Sequence, residues 1–148
     1  MQLFDHRDYV SMTMEFRCNL RCVHCMIEGT MDRLVPESDE RFEELLAHNA
    51  EHRRWKGLVL TGSEITLLRD LPDLARRARA AGFAHVRIQS HGMHLAAQDY
   101  CESLIEAGID YFIIYIPGVA YDLEPLHRFE TEVIPQLAGA TPVHSTAG

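Results

Sequence analysis

Three cysteines, Cys18, Cys22 and Cys25, share the short run Cys18-Asn19-Leu20-Arg21-Cys22-Val23-His24-Cys25, a Cys-x3-Cys-x2-Cys pattern. Thiolates are soft ligands, and three of them on one loop can hold three corners of an iron–sulfur cube. A closed cluster usually takes four protein ligands, so a set of three leaves one iron open to a small molecule. The order differs from the paired Cys-x2-Cys of zinc ribbons, and no second pair follows it. Two other readings of the same residues stand beside the cluster: a zinc knuckle of the three cysteines plus His24, or reduced thiols that hold no metal.

Such a loop needs a rigid element in front of it. From Tyr9 to Phe16, the residues Val10, Met12, Met14 and Phe16 alternate with Ser11, Thr13 and Glu15, the period of a strand. Ser11, Thr13 and Glu15 then share one face, and a Glu15 buried there needs a partner. Ser38-Asp39-Glu40 is an acidic helix start, and Phe42, Leu45 and Leu46 carry helical spacing to about residue 53. Gly57-Leu58-Val59-Leu60-Thr61 has the composition of a buried strand and is broken by Gly62-Ser63-Glu64. Asp70-Leu71-Pro72 opens a second helix that Gly82 ends. His85 to Gln89 predicts a third strand, closed by Ser90-His91-Gly92. A third helix runs over about 97–107, with Cys101 on its apolar stripe as a core residue. Tyr111 to Ile116 predicts a fourth strand, closed by Pro117-Gly118. Asp122 to Leu137 can form a last helix against the opposition of Pro125 and Pro135, and 138–148 reads as a frayed tail.

Strand and helix alternate at roughly thirty residues per unit, which indicates an α/β fold of parallel strands joined by right-handed crossovers. In parallel barrel-like sheets the chemistry gathers at the carboxyl ends of the strands, so the four loops after the strands converge on one mouth.

Cys-x3-Cys-x2-Cys directly after a first strand resembles the signature of the radical S-adenosylmethionine (SAM) enzymes. The resemblance covers about residues 9–118. It implies a [4Fe–4S] cluster on Cys18, Cys22 and Cys25 whose open iron is chelated by the amino and carboxylate groups of SAM. It also implies the activity: the cluster passes one electron to the sulfonium, and SAM is cleaved to methionine and a 5′-deoxyadenosyl radical that abstracts hydrogen from a substrate. An electron donor is then required. His24, just before the last cysteine, is placed near the adenine. Leu60-Thr61-Gly62-Ser63-Glu64-Ile65 resembles the family's Gly-Gly-Glu-Pro motif, with Ser63 and Ile65 in place of the second glycine and the proline. This implies that Gly62, Ser63 and Glu64 meet the SAM amino group. Ser90-His91-Gly92 resembles the Thr-Asn-Gly turn after the third strand, which puts Ser90 at the cofactor; read by itself it is a strand-ending turn with Gly92 at positive φ. His91 and His94 are either a second metal pair or exposed loop histidines. Glu15 is a further candidate for a SAM or substrate contact. At the fourth strand Tyr115 and Pro117 replace the small polar residue and acid from which relatives contact the ribose.

The cysteine run is most similar to the branch that modifies peptides and tetrapyrroles, and a peptide is one substrate class this implies. Family members have about six strands in a partial (β/α) barrel, and this chain supplies four. The expectation is a single, truncated core over 1–148, its segment 119–148 poorly defined, that is a piece of a longer protein or completes its barrel with a partner chain. Strand four is then an apolar edge open to pairing or self-association. The alternative in another functional class is a non-catalytic iron–sulfur or zinc module, or an inactive fragment that needs a partner chain.

With 148 residues there is room for one domain with a sizeable core. The net charge is −8, and the dense basic stretch Arg53-Arg54-Trp55-Lys56 reads as a solvated helix end, which argues against a nucleic-acid groove. No run approaches a membrane span, and Met1 to Arg7 lacks the apolar core of a signal peptide. A reducing cytoplasm is the expected compartment, where clustered cysteines suggest metal rather than disulfides.

Overall fold

The computed structural model describes residues 6–23, 25, 27, 29, 31–115, 119 and 121–137. Four strands, β1 (Tyr9–Glu15), β2 (Gly57–Gly62), β3 (His85–Ser90) and β4 (Ile109–Ile114), form one sheet in the order β1-β2-β3-β4, and every pairing is parallel. The connections carry α1 (Asp39–His52), α2 (Leu71–Ala80) and α3 (Gln98–Glu106). This is the expected partial parallel α/β barrel, with β1 and β4 at its edges among the described residues.

Helix boundaries follow local chemistry. Ser38 caps α1, its hydroxyl accepting from the Arg41 N–H (3.3 Å), and the helix ends where Arg53 turns left-handed at φ 49°. Pro72 sits in the first turn of α2, where an N–H has no partner to lose. Pro125 is tolerated in α4 (Glu124–Arg128) for the same reason. Before Pro135 the helix widens into a π turn (Phe129–Val133) and continues as α5 (Ile134–Leu137), so the path reaches Leu137 despite a residue with no N–H to give. Segment 138–148 and the Pro117-Gly118 turn lie outside the described residues.

The core lies between the sheet and the helices. Leu58, Leu60, Val86, Ile88 and Ile109 project from the strands onto Phe42, Leu46, Leu71, Leu74, Ala78 and Leu104. Burying one such side chain is worth about 1.5–3 kcal/mol, so this layer supplies the main stabilisation. On the other face Thr61 Oγ1 donates to Gln89 Oε1 (3.1 Å), and the Arg87 guanidinium stacks on Tyr9 (4.1 Å) and Tyr111 (4.7 Å). Val59 belongs to that face and is only half-buried. The apolar run of β2 is thus buried on one side, because the described helices cover one side.

Two irregularities shift the expected registers. β4 starts at Ile109 rather than Tyr111, because Asp110 is taken up at a shift in the β3–β4 pairing. Its carboxylate accepts from the Val86 N–H (3.1 Å) and lies 2.6 Å from His85 Nδ1. β1 shifts register between Thr13 and Glu15, so Met14 and Glu15 are both buried where strict alternation would expose one of them.

Candidate cofactor site

The β1 shift matters because it aims the chain into the cysteine loop. Buried Glu15 finds its partner two residues on: Oε1 accepts from the Arg17 N–H (2.7 Å), and both oxygens face the Arg17 guanidinium. Burial pushes the Glu15 carboxyl up, but the side-chain and backbone hydrogen bonds from Arg17 outweigh it and leave the pKa below the usual carboxylate value. The Glu15 carbonyl accepts from the Ser63 N–H (2.8 Å), which fastens the end of β1 to the turn after β2.

Gly62 makes that approach possible. A Cβ there would overlap the Glu15 carbonyl oxygen, and φ of 156° is a conformation that side chains disfavour. Gly62→Ala should therefore lower stability by about 1–3 kcal/mol, as overpacked sites do, read as a drop in the urea midpoint with an unchanged slope. An unchanged midpoint would show that this approach is not needed.

At the next position, Ser63 Oγ is buried and has no hydrogen-bond partner among the described residues. An orphaned buried hydroxyl in the turn fastened to the end of β1 is a group with bonding capacity left for a ligand.

Glu64 is fully buried and joins two loops. Its Oε1 accepts from the Thr66 N–H (3.0 Å), the Thr66 hydroxyl (2.5 Å) and the Ser90 hydroxyl (2.8 Å); Oε2 accepts from the His91 N–H (2.9 Å) and lies 3.0 Å from His91 Nε2. Burial pushes the carboxyl up, but the bonds from Thr66, His91 and Ser90 outweigh it, so its pKa falls below the usual value. His94 Nδ1 is 3.1 Å from Thr66 Oγ1, and the Tyr100 hydroxyl donates to the Thr66 carbonyl (3.3 Å). Burial pushes Tyr100 up to about 12 with help from the Glu64 charge, so it stays a donor across the physiological range. His91 and His94 are members of this network rather than exposed loop histidines, with ring centroids 6.5 Å apart. Gly92 takes the expected positive φ, 83°.

The three cysteines are free and partly exposed. Cys25 N–H donates to the Cys22 carbonyl (2.9 Å), and Leu20 N–H reaches Cys18 Sγ (3.4 Å). As the loop stands, no three His, Cys, Asp or Glu residues among those described are close enough together to hold a metal ion. A cavity of about 690 Å³, within the size range of small-molecule sites, is lined by Glu15, Phe16, Arg17, Cys18, Leu20 and Arg21 among others. The donor set fits an iron–sulfur cluster: three accessible thiols on one loop at the carboxyl edge of a parallel sheet.

The structure thus joins Glu64 to Ser90 directly and packs Gly62 on Glu15. His24 lies outside the described residues. Thr66, Asn19 and Arg17 escape sequence reasoning; the Thr66 position two residues after an acid was the one available signal, since a carboxylate there can cap the following turn.

The radical SAM superfamily profile matches residues 13–132. The chain belongs to the radical SAM superfamily. Among curated radical SAM relatives, it is similar to a GTP 3′,8-cyclase of Limosilactobacillus fermentum, 34% identical over 70% of this chain and 31% of the relative. It is similar to an Fe-coproporphyrin III synthase of Methanosarcina barkeri, 29% identical over 78% of this chain and 28% of the relative. A 7,8-dihydro-6-hydroxymethylpterin dimethyltransferase of Methanocaldococcus jannaschii is 30% identical over 70% of this chain and 21% of the relative. The chain therefore spans between about a fifth and a third of the length of these relatives. No helix among the described residues is long and apolar enough to cross a membrane.

Proposed function

We propose that the chain is the cluster- and SAM-binding part of a radical SAM enzyme. The observation that carries this is the joining of three loops at the carboxyl edge of the sheet, with three free thiols on one of them. Cys18, Cys22 and Cys25 hold the [4Fe–4S] cluster. A cluster held by these thiolates would supply the single electron that reductive cleavage of the SAM sulfonium needs, to give methionine and a 5′-deoxyadenosyl radical for hydrogen abstraction. Gly62 and Ser63 present backbone and the unpaired hydroxyl to the SAM amino group, with His24 and Ser90 flanking the cofactor. Glu64 acts mainly by shaping this turn: its two oxygens already take bonds from Thr66, Ser90 and His91, so little of it is left for direct contact.

The names of the relatives refer to GTP, a coproporphyrin and a pterin, so ring compounds join peptides as substrate classes to test. A one-electron donor is a required partner, and a reducing cytoplasm is the compartment that keeps the thiols available. Among the described residues β4 is an edge strand, with Tyr111 and Ile113 exposed along it and Tyr115 exposed just past its end, and it is the place where further barrel strands, from a longer protein or a partner chain, would pair.

The test is anaerobic reconstitution of the chain with iron and sulfide, then electron paramagnetic resonance of the reduced protein with and without SAM. We expect a [4Fe–4S] signal that shifts when SAM is added. A signal indifferent to SAM, or zinc in place of iron, would overturn the reading in favour of a non-catalytic metal module.

A further inference from the structure

We propose that His91 is a positioning residue, which holds the cysteine loop in register with the Glu64 turn through Asn19. The inference rests on the reading of Cys18, Cys22 and Cys25 as the cluster ligands, and it concerns what orders their loop. Two bonds inside that loop are short-range, from Leu20 N–H to Cys18 Sγ and from Cys25 N–H to the Cys22 carbonyl. Such bonds shape a loop without fixing it to the sheet. The contact between Asn19 Oδ1 and His91 Nε2, at 2.7 Å, is different in kind because it spans 72 residues. It connects the loop after β1 to the loop after β3.

The ring is set up for this task. Its Nδ1 accepts from the Met93 N–H (3.2 Å), so the neutral imidazole carries its proton on Nε2. That single N–H faces two acceptors from two other loops, Asn19 Oδ1 and Glu64 Oε2. The side chain is only 9% exposed, and its backbone N–H is itself held by Glu64. Ser90 Oγ accepts from the Gly92 N–H (2.9 Å), which closes the turn that presents the ring. One imidazole therefore touches the residue beside Cys18 and the carboxylate after Gly62 and Ser63. The position of the first thiol and the shape of the β2 turn are set by the same group.

Alkylation of the reduced, metal-free chain by iodoacetamide, followed cysteine by cysteine with mass spectrometry, tests this. Each rate is divided by that of the same variant unfolded in urea, which removes the effect of neighbouring side chains on intrinsic reactivity. His91→Ala and Asn19→Ala should each speed Cys18 modification by about fivefold, the equivalent of one hydrogen bond of about 1 kcal/mol. The double variant should be no faster than either single one. His91→Gln, whose amide N–H can stand in for Nε2–H, should stay near the wild-type rate. Buried Cys101 should remain protected in all of them. A wild-type Cys18 rate in Asn19→Ala, or effects that multiply in the double variant, would overturn the anchor. If His91→Ala exposes Cys101 and so reports unfolding, Asn19→Ala and His91→Gln decide the question. No metal or SAM enters the measurement, so a failure of the anchor is distinguishable from a failure to bind the cofactor.

Discussion

Cys22→Ser should fold like the parent chain and take up almost no iron and sulfide under conditions that load the wild type. A serine oxygen is a poor ligand for a soft cluster, and two remaining thiolates cannot hold three irons. The structural cost is small: Cys22 is only partly buried, and its carbonyl, which accepts from the Cys25 N–H, survives the change. The urea midpoint should move by no more than about 0.5 kcal/mol in stability, as at other surface positions. Cys101→Ser is the contrast. That thiol is buried on α3, and burial pushes its pKa up, so it should lose stability and keep its iron. Iron per chain and the visible absorbance of the cluster measure both. Undiminished iron in Cys22→Ser would exclude Cys22 as a ligand.

The second large effect is expected at Glu64. Glu64→Ala leaves the Ser90 and Thr66 hydroxyls and the Thr66 and His91 N–H groups without their shared acceptor. Removing one side of a buried, charge-assisted network costs about 3–5 kcal/mol. At about 2–4 °C per kcal/mol for a chain of this size, the thermal midpoint should fall by roughly 10 °C. Acid titration adds a sign. The folded carboxyl titrates below its unfolded value, so its contribution is complete above the ordinary carboxylate range. It is lost as pH falls through the folded pKa, because the unfolded chain takes up the proton first. Glu64→Gln should flatten this acid limb, with Glu15 and its Arg17 partner supplying what remains. Urea midpoints followed from neutral pH downward check both statements, and an acid limb unchanged in Glu64→Gln would assign it to other carboxylates.

The Glu64 network also marks where sequence reading stops. Gly62-Ser63-Glu64 can be placed after a strand from the sequence, and its distance from the cysteines puts it one βα unit on. That Glu64 would turn inward to Ser90 and His91 requires β2 and β3 to be neighbours in register, a fact about pairing between residues 26 and 27 positions apart. The Asp110 register shift belongs to the same class: a polar residue that reads as the end of a loop becomes part of β4 because the Val86 N–H and the His85 ring are there to meet its carboxylate.

By itself the sequence determined the superfamily and the rhythm of this protein. Thiol spacing is local, and so are the hydrophobic periods that distinguish strand from helix, the Ser38 cap, the proline at the start of α2 and the glycine after β3. Each depends on residues within one or two turns of one another, so the order of elements and the α/β class followed. Only the tertiary structure decided which loop ends meet. The Glu15 carbonyl under Gly62, the Ser90 hydroxyl on Glu64 and the Asn19 amide on His91 are contacts between segments distant in the chain. They form because parallel pairing brings the carboxyl ends of successive strands side by side, and no local pattern carries that information.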